Sequence, residues 1–271
     1  MNKGKMFILS EMKKMARTKS LLIFGILLTV LLLAITMVQL FAMPVTSSYT
    51  RFSASFLNVL LFLLPLFTLT MGALSMASDI ESKWFALLKT YPIKMRTYTW
   101  GKFLALVGSF TVMVLIGYGL VLVVSSLNIG SELDYVLILL SFVTIVVFSS
   151  ISIVVGSLSN NRIQSLSLAL GVWAFFLLIY DYLIMAAGSL LSGTLLKTVI
   201  IIMTFINPVE WVRTGYILYS GNATVLGPVY YDFASFFQSS WGVVTYILVT
   251  ALWVSAPMVL SNVILKRKEG S

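Results

Sequence analysis

Between Tyr135 and Leu158 the chain reads YVLILLSFVTIVVFSSISIVVGSL, a run with no charged residue and no proline. A helix rises 1.5 Å per residue, so about 20 such residues cross a hydrocarbon layer about 30 Å thick. A membrane-crossing strand would be shorter and would alternate apolar with polar residues, which this run does not do. Inside lipid no water satisfies backbone N–H and C=O groups, so a lone crossing segment must be helical. Five further stretches pass the same test: Ser20–Ala42, Phe56–Ala77, Phe103–Leu127, Leu166–Ala187 and Trp241–Leu265. The expected fold is an all-α integral membrane protein with six transmembrane helices.

Composition agrees. The 271 residues are 59% hydrophobic and 10% charged, against about 25% charged in a soluble domain. So few charges cannot cover so apolar a chain in water, which rules out a soluble enzyme. Residues 20–271 read as one transmembrane unit, without linker or low-complexity stretch. No internal repeat is evident, which argues against folds built from inverted repeats. The first apolar run lacks a small-residue cleavage site and reads as a spanning anchor.

Charge placement sets an expected orientation. With the N-terminus in the cytoplasm, all but Arg51, Lys197 and Arg213 of the 18 Lys and Arg fall on cytoplasmic segments. This obeys the positive-inside rule and places both termini inside. It also accounts for the net charge of +9 without nucleic acid; anionic lipid is the expected partner of these residues.

Cys and His are both absent. That excludes a disulfide framework, thiolate or imidazole metal sites and a Ser-His-Asp triad. No G-x-x-x-x-G-K-[ST] loop occurs, so the chain has no means of its own to bind ATP and is not expected to be an enzyme. Thioethers can hold copper(I), but Met37, Met43, Met71 and Met76 show no ligand-like spacing and read as core packing. No cofactor or metal is expected in this chain.

Three segments carry more information. In residues 1–19, Phe7, Ile8, Met12 and Met15 share a helical face beside Lys5, Lys13, Lys14 and Arg17, which suits an amphipathic helix in the headgroup region. Ser78-Asp79-Ile80-Glu81 has capping-box spacing. Ile80, Trp84, Leu87, Leu88 and Tyr91 follow at helical intervals, and Pro92 marks a stop. A cytoplasmic helix over about 79–91 is expected, with exposed apolar residues that need lipid or a partner protein. An outer segment, about 188–240, contains Leu195–Ile206. That run is too short to span and suits a re-entrant or interfacial helix. Asn207-Pro208 breaks it, and Val209–Tyr219 is expected to form a short helix with Trp211, Tyr216 and Tyr219 at the interface. Asp181 lies inside an apolar span. It either faces a polar pathway, paired with a residue such as Arg213, or reaches the outer headgroups.

Several stretches resemble the permease subunits of ABC-2 type ATP-binding-cassette transporters. Glu11-Met12, Arg17 and Lys19-Ser20-Leu21-Leu22 are similar to that family's opening signature. Leu87-Leu88-Lys89-Thr90-Tyr91-Pro92 and Gly101-Lys102-Phe103 resemble its first cytoplasmic loop. Lys83 and Met95 depart from the pattern, where glycine and arginine are usual. Leu168–Trp173 running into Asp181, together with Asn207-Pro208, resembles the permeases that accompany nitrous-oxide reductase. The resemblance implies that helix 79–91 couples to a separate ATPase, through Asp79, Glu81, Trp84, Leu87, Leu88, Tyr91 and Pro92. It implies two permeases and two ATPases, with ATP bound only by the ATPase; Asp181, Asn207 and Arg213 are the pathway candidates among the residues themselves. For the narrower group it implies support of copper–sulfur centre assembly, with a sulfur species or copper as cargo and a NosD-like β-rich extracytoplasmic partner. Export of a drug, lipid or peptide is the alternative within the family. A membrane anchor that recruits a partner without transport is the alternative outside it.

Overall fold

The computed structural model describes residues 3–42, 51–84, 95–126, 135–220, 223–227 and 230–269. Helix α1 (Lys3–Ala16) leads into α2 (Lys19–Ala42), α3 (Arg51–Glu81), α4 (Met95–Ser125) and α5 (Tyr135–Leu158). Helix α6 (Arg162–Leu190) is followed by α7 (Gly193–Ile206), α8 (Pro208–Tyr219), α9 (Tyr231–Gln238) and α10 (Ser240–Glu269). No strand occurs among the described residues. Six helices, α2 to α6 and α10, are long and apolar enough to cross a membrane.

Helices α3 and α5 form the centre of the bundle, and their contact depends on small residues. A Cβ on Gly156 would lie 2.4 Å from the Met76 Cβ and 2.8 Å from the Ala73 carbonyl oxygen. Lipid tails are as apolar as leucine, so membrane helices associate through such close approach. Outward faces of α2, α4, α6 and α10 are apolar and exposed, as at Ile26, Val123, Leu178 and Leu248. That surface belongs in hydrocarbon.

Two spans contain proline, and a polar side chain bonds a carbonyl near each. Pro257 in α10 has no N–H to give the Trp253 carbonyl four residues earlier. The Ser150 hydroxyl lies 3.0 Å from that carbonyl and shares its one proton between it and the Val147 carbonyl of its own helix, at 2.7 Å. Near Pro65 in α3, the Trp173 indole N–H donates to the Phe62 carbonyl at 3.2 Å. Ser150→Ala should cost about 1 kcal/mol, the loss of a shared hydrogen bond to a part-buried carbonyl. In a Pro257→Ala background the restored N–H takes that carbonyl and the cost should shrink. A double-mutant cycle on unfolding in detergent measures the coupling; equal costs in both backgrounds would refute the compensation.

Helix α6 contains a π-helical turn at Phe175–Ile179. It begins at Arg162, four residues before the expected Leu166, because Asn161 caps it: the Asn161 side chain accepts from the Gln164 N–H at 2.8 Å. The Gln164 side chain in turn accepts from the Asn160 N–H at 2.9 Å. Helices α7 and α8 meet at 107°, across the break expected at Asn207-Pro208.

Two expectations need correction. Ser78-Asp79-Ile80-Glu81 does not start a helix; it is the last turn of α3. The side chains of Asp79 and Ser78 find charged partners, described below, instead of capping backbone N–H groups. The chain turns after them at Ser82 and Lys83, where Lys83 adopts a positive φ of 57°, and is helical again at Trp84. Leu87, Leu88, Tyr91 and Pro92 lie outside the described residues. Trp211 and Tyr216 are not interfacial: they are among the largest fully buried side chains. Their rings serve the protein core because α8 folds back against α5 and Trp211 stacks on Tyr246 of α10 with centroids 4.6 Å apart.

Candidate functional site

Helix α1 lies on α4 because α4 offers it two glycines. A Cβ on Gly101 would lie 2.5 Å from the Phe7 ring, and one on Gly108 would lie 2.8 Å from the Met12 methyl. The apolar face of α1 therefore meets protein, and Met15 is buried. This seating carries Glu11 to Lys102, the residue after Gly101.

A buried charge cluster results. Lys102 is 2% exposed, Asp79 3% and Glu11 5%. The Lys102 ammonium is 2.7 Å from Glu11 Oε2 and 2.7 Å from Asp79 Oδ2, and it donates to Ser75 Oγ at 3.0 Å. All three of its N–H groups are used. Asp79 Oδ2 also accepts from the Tyr98 hydroxyl at 2.9 Å, and Oδ1 accepts from Lys14 at 3.1 Å. Lys102 serves both buried anions, and the half-exposed Lys14 supplies the second positive charge from the edge, so the cluster carries no net charge. Burial acts to lower the Lys14 pKa, but the carboxylates of Asp79 and Glu11 outweigh it and hold the ammonium above its ordinary value. Lys14 is thus charged throughout the physiological range.

Further contacts tie the other helices to the same end of the bundle. Arg162, at the head of α6, donates to Ser78 Oγ at 2.8 Å, and its backbone N–H donates to Glu81 Oε2 at 3.0 Å. Lys268, near the end of α10, donates to the Ser159 carbonyl at 2.9 Å and to the Asn160 side chain at 2.9 Å, where a cation suits the C-terminus of α5. Thr99 of α4 donates to Asn262 of α10 at 3.0 Å. Helices α3, α4, α5, α6 and α10 are each bonded to a neighbour at this end. The Ser82–Lys83 turn emerges from this knot and presents Trp84, which is 44% exposed. The turn before Trp84 is thus tied to α1, α3 and α4 through Asp79, Lys102, Glu11 and Tyr98. Among the described residues no cluster of Asp and Glu is fit to hold a metal.

A second polar arrangement holds the bent pair. Asn207 is fully buried. Its amide donates to the Phe176 carbonyl in the π turn at 2.8 Å, and its oxygen accepts from the Val209 N–H at 2.9 Å, capping α8. The Trp253 indole donates to the Phe205 carbonyl at 3.2 Å. Arg213 pairs with Glu210 in its own helix, not with Asp181, which is exposed on α6 and has no ion pair among the described residues. The structure therefore separates the three pathway candidates into a buried clamp, a local ion pair and an exposed carboxylate.

Sequence reading placed Lys102 among the juxtamembrane cations and Glu11 in a signature, and did not join them. The available signal was compositional: Glu11 is the sole acid in a strongly basic N-terminus, and Lys102 heads an apolar run beside a glycine.

Comparison with known proteins agrees with this architecture. Residues 6–269 match the family described as ABC-2 family transporter protein. The chain is 24% identical over 227 residues, 79% of each chain, to the probable ABC transporter permease protein NosY of Pseudomonas aeruginosa. It is 28% identical over 167 residues, 59% of this chain and 60% of the other, to the protein of the same name from Stutzerimonas stutzeri.

Proposed function

The chain belongs to the ABC-2 family of transporter proteins, and from that premise we propose that it is the NosY-like permease of a transporter driven by a separate ATPase. The family's permeases work with an ABC ATPase subunit and are not enzymes themselves. The end of the bundle that carries the Glu11–Lys102–Asp79 cluster faces the cytoplasm, and Trp84 with the segment through Pro92 meets the ATPase. Two copies of the chain and two ATPases make the transporter.

The observation that carries this reading is the cluster itself. A coupling segment works only if the force it receives reaches the spans, and the cluster fastens the turn before Trp84 to three helices. Distribution of charge supports the orientation: the cluster end carries Lys13, Lys14, Arg17, Arg96, Arg162, Lys266 and Arg267, while Lys197 and Arg213 lie towards the other. Two prolines and a π turn lie inside spans, irregularities of the kind found at helix bends and functional sites.

For the cargo, likeness to the NosY proteins supports a small species, sulfur or copper, in service of the copper–sulfur centre of nitrous-oxide reductase, with a NosD-like partner outside. The absence of Cys and His favours sulfur. Asp181 is the residue placed to meet a passing polar group, since Asn207 and Arg213 are engaged within the chain.

The test is purification from native membranes with identification of bound subunits. An ABC ATPase should come down with the permease, and Trp84→Ala and Leu88→Asp should each weaken that association and the ATPase rate at least tenfold (about 1.4 kcal/mol). Association and hydrolysis unaffected by both substitutions would sink the coupling assignment. An exporter of drugs, lipids or peptides would retain the ATPase but lack any link to the reductase. A recruiting anchor would show no ATPase at all.

A further inference from the structure

Beside the clamp of Asn207 lies a cavity of about 650 Å³ between α5, the π turn of α6, the end of α7 and α10. Its walls include Val154, Phe176, Phe205, Leu252, Trp253 and Leu260, all apolar. Leu252 is 64% and Leu260 51% exposed, so the cavity opens sideways onto the hydrocarbon. Polar backbone groups around it are already paired: the Phe176 carbonyl with Asn207, the Phe205 carbonyl with Trp253, and the Trp253 carbonyl with Ser150. Nothing in the walls calls for a polar guest.

The rim is different. Leu260, Ile264 and Arg267 fall on one face of α10 at helical spacing. From Leu260 to Arg267 is about 10 Å along the axis. Arg267 and its neighbour Lys266 are exposed, whereas Lys268 is bonded to the α5 terminus and Arg162 to Glu81. Two cations without an ion pair among the described residues thus stand one headgroup's reach from the mouth of an apolar slot that opens to lipid.

We infer that this slot is a binding site for an anionic phospholipid, its acyl chain against Trp253 and its phosphate on Arg267 and Lys266. The lipid fills the space between α10 and the α7–α8 elbow and so holds the elbow to the bundle. The site does not depend on the orientation proposed above; only its assignment to the cytoplasmic leaflet does.

Tryptophan quenching in reconstituted vesicles tests this. Vesicles of phosphatidylcholine would carry a minor fraction of acyl-brominated phosphatidylglycerol or acyl-brominated phosphatidylcholine. The signal lost in Trp253→Phe, subtracted from the intact protein, isolates Trp253. Brominated phosphatidylglycerol should quench that component about fivefold more effectively than brominated phosphatidylcholine, and Lys266→Gln with Arg267→Gln should erase the preference. Native mass spectrometry of the protein with all tryptophans intact should show a retained phosphatidylglycerol, lost in the same double variant. Equal quenching by both lipids, a preference that survives the double variant, or no quenching because a second copy covers the slot, would each overturn the site.

Discussion

Replacing Lys102 with methionine should destabilise the protein by about 3–5 kcal/mol, the cost of leaving a buried carboxylate without its cation. Two such groups depend on it, Glu11 at 2.7 Å and Asp79 at 2.7 Å. Lys14 bonds Asp79 Oδ1 and meets Glu11 only through a longer-range attraction, from a half-exposed position that does not replace a buried cation. Methionine keeps the length and apolar stem of lysine, so the loss is electrostatic rather than a cavity. The variant should unfold at markedly lower denaturant in detergent, and α1 should become sensitive to protease. Adding Glu11→Gln and Asp79→Asn to Lys102→Met should recover most of the loss, because no charge then remains buried. Lys13→Met, on the exposed side of α1, is the control and should be neutral. An unchanged midpoint in Lys102→Met would mean that water reaches the cluster and that it does not fasten the three helices.

The second large effect is expected at Gly156. Even alanine there would place its Cβ 2.8 Å from the Ala73 carbonyl oxygen and 3.1 Å from the Ala73 Cα. These are backbone atoms that cannot rotate away, so α3 and α5 must separate. Gly156→Leu should abolish stable folding, and Gly156→Ala should cost at least the 1–3 kcal/mol typical of overpacking. Gly171 is the contrast. A Cβ there meets nothing within 4 Å, and Gly171→Ala should be neutral or stabilise by up to about 1 kcal/mol, through helix propensity alone. Yields of monodisperse protein and thermal midpoints would read both. Equal behaviour at the two positions would contradict the close α3–α5 contact.

Much of the fold was legible in the sequence, and for a simple reason. Lipid demands long uninterrupted apolar helices, so length and hydropathy alone place the six spans. The break after α7 is also legible, because proline cannot continue the α7 hydrogen-bond ladder; its 107° angle is not. What was not legible depends on partners distant in sequence. Ser78 to Glu81 has the letters of a cap, yet the same side chains bind Arg162, Lys102 and Tyr98, and the helix simply continues. Trp211 and Tyr216 suit a membrane interface and a protein core equally well, and only the return of α8 against α5 decides. Helix α4 begins at Met95, not Phe103, because Tyr98 and Lys102 find Asp79 and can be buried despite their polarity. Of the coupling candidates, Asp79 and Glu81 serve as internal fastenings. Asp79 binds Lys102, Lys14 and Tyr98, and Glu81 binds Arg162. Trp84 is the described candidate left free to meet another protein.

The central claim is that the end of the bundle holding the charge cluster faces the cytoplasm, where an ATPase can reach it. The chain has no cysteine, so one introduced thiol reports its side of the membrane without background. Lys13→Cys stands on exposed α1, and Leu190→Cys stands at the far end of α6, where Leu190 is 83% exposed. A membrane-impermeant maleimide applied to vesicles of known orientation should label Lys13→Cys only when the vesicles are inside-out, and Leu190→Cys only when they are right-side-out. The reverse pattern, or labelling of both from one side, would contradict the account.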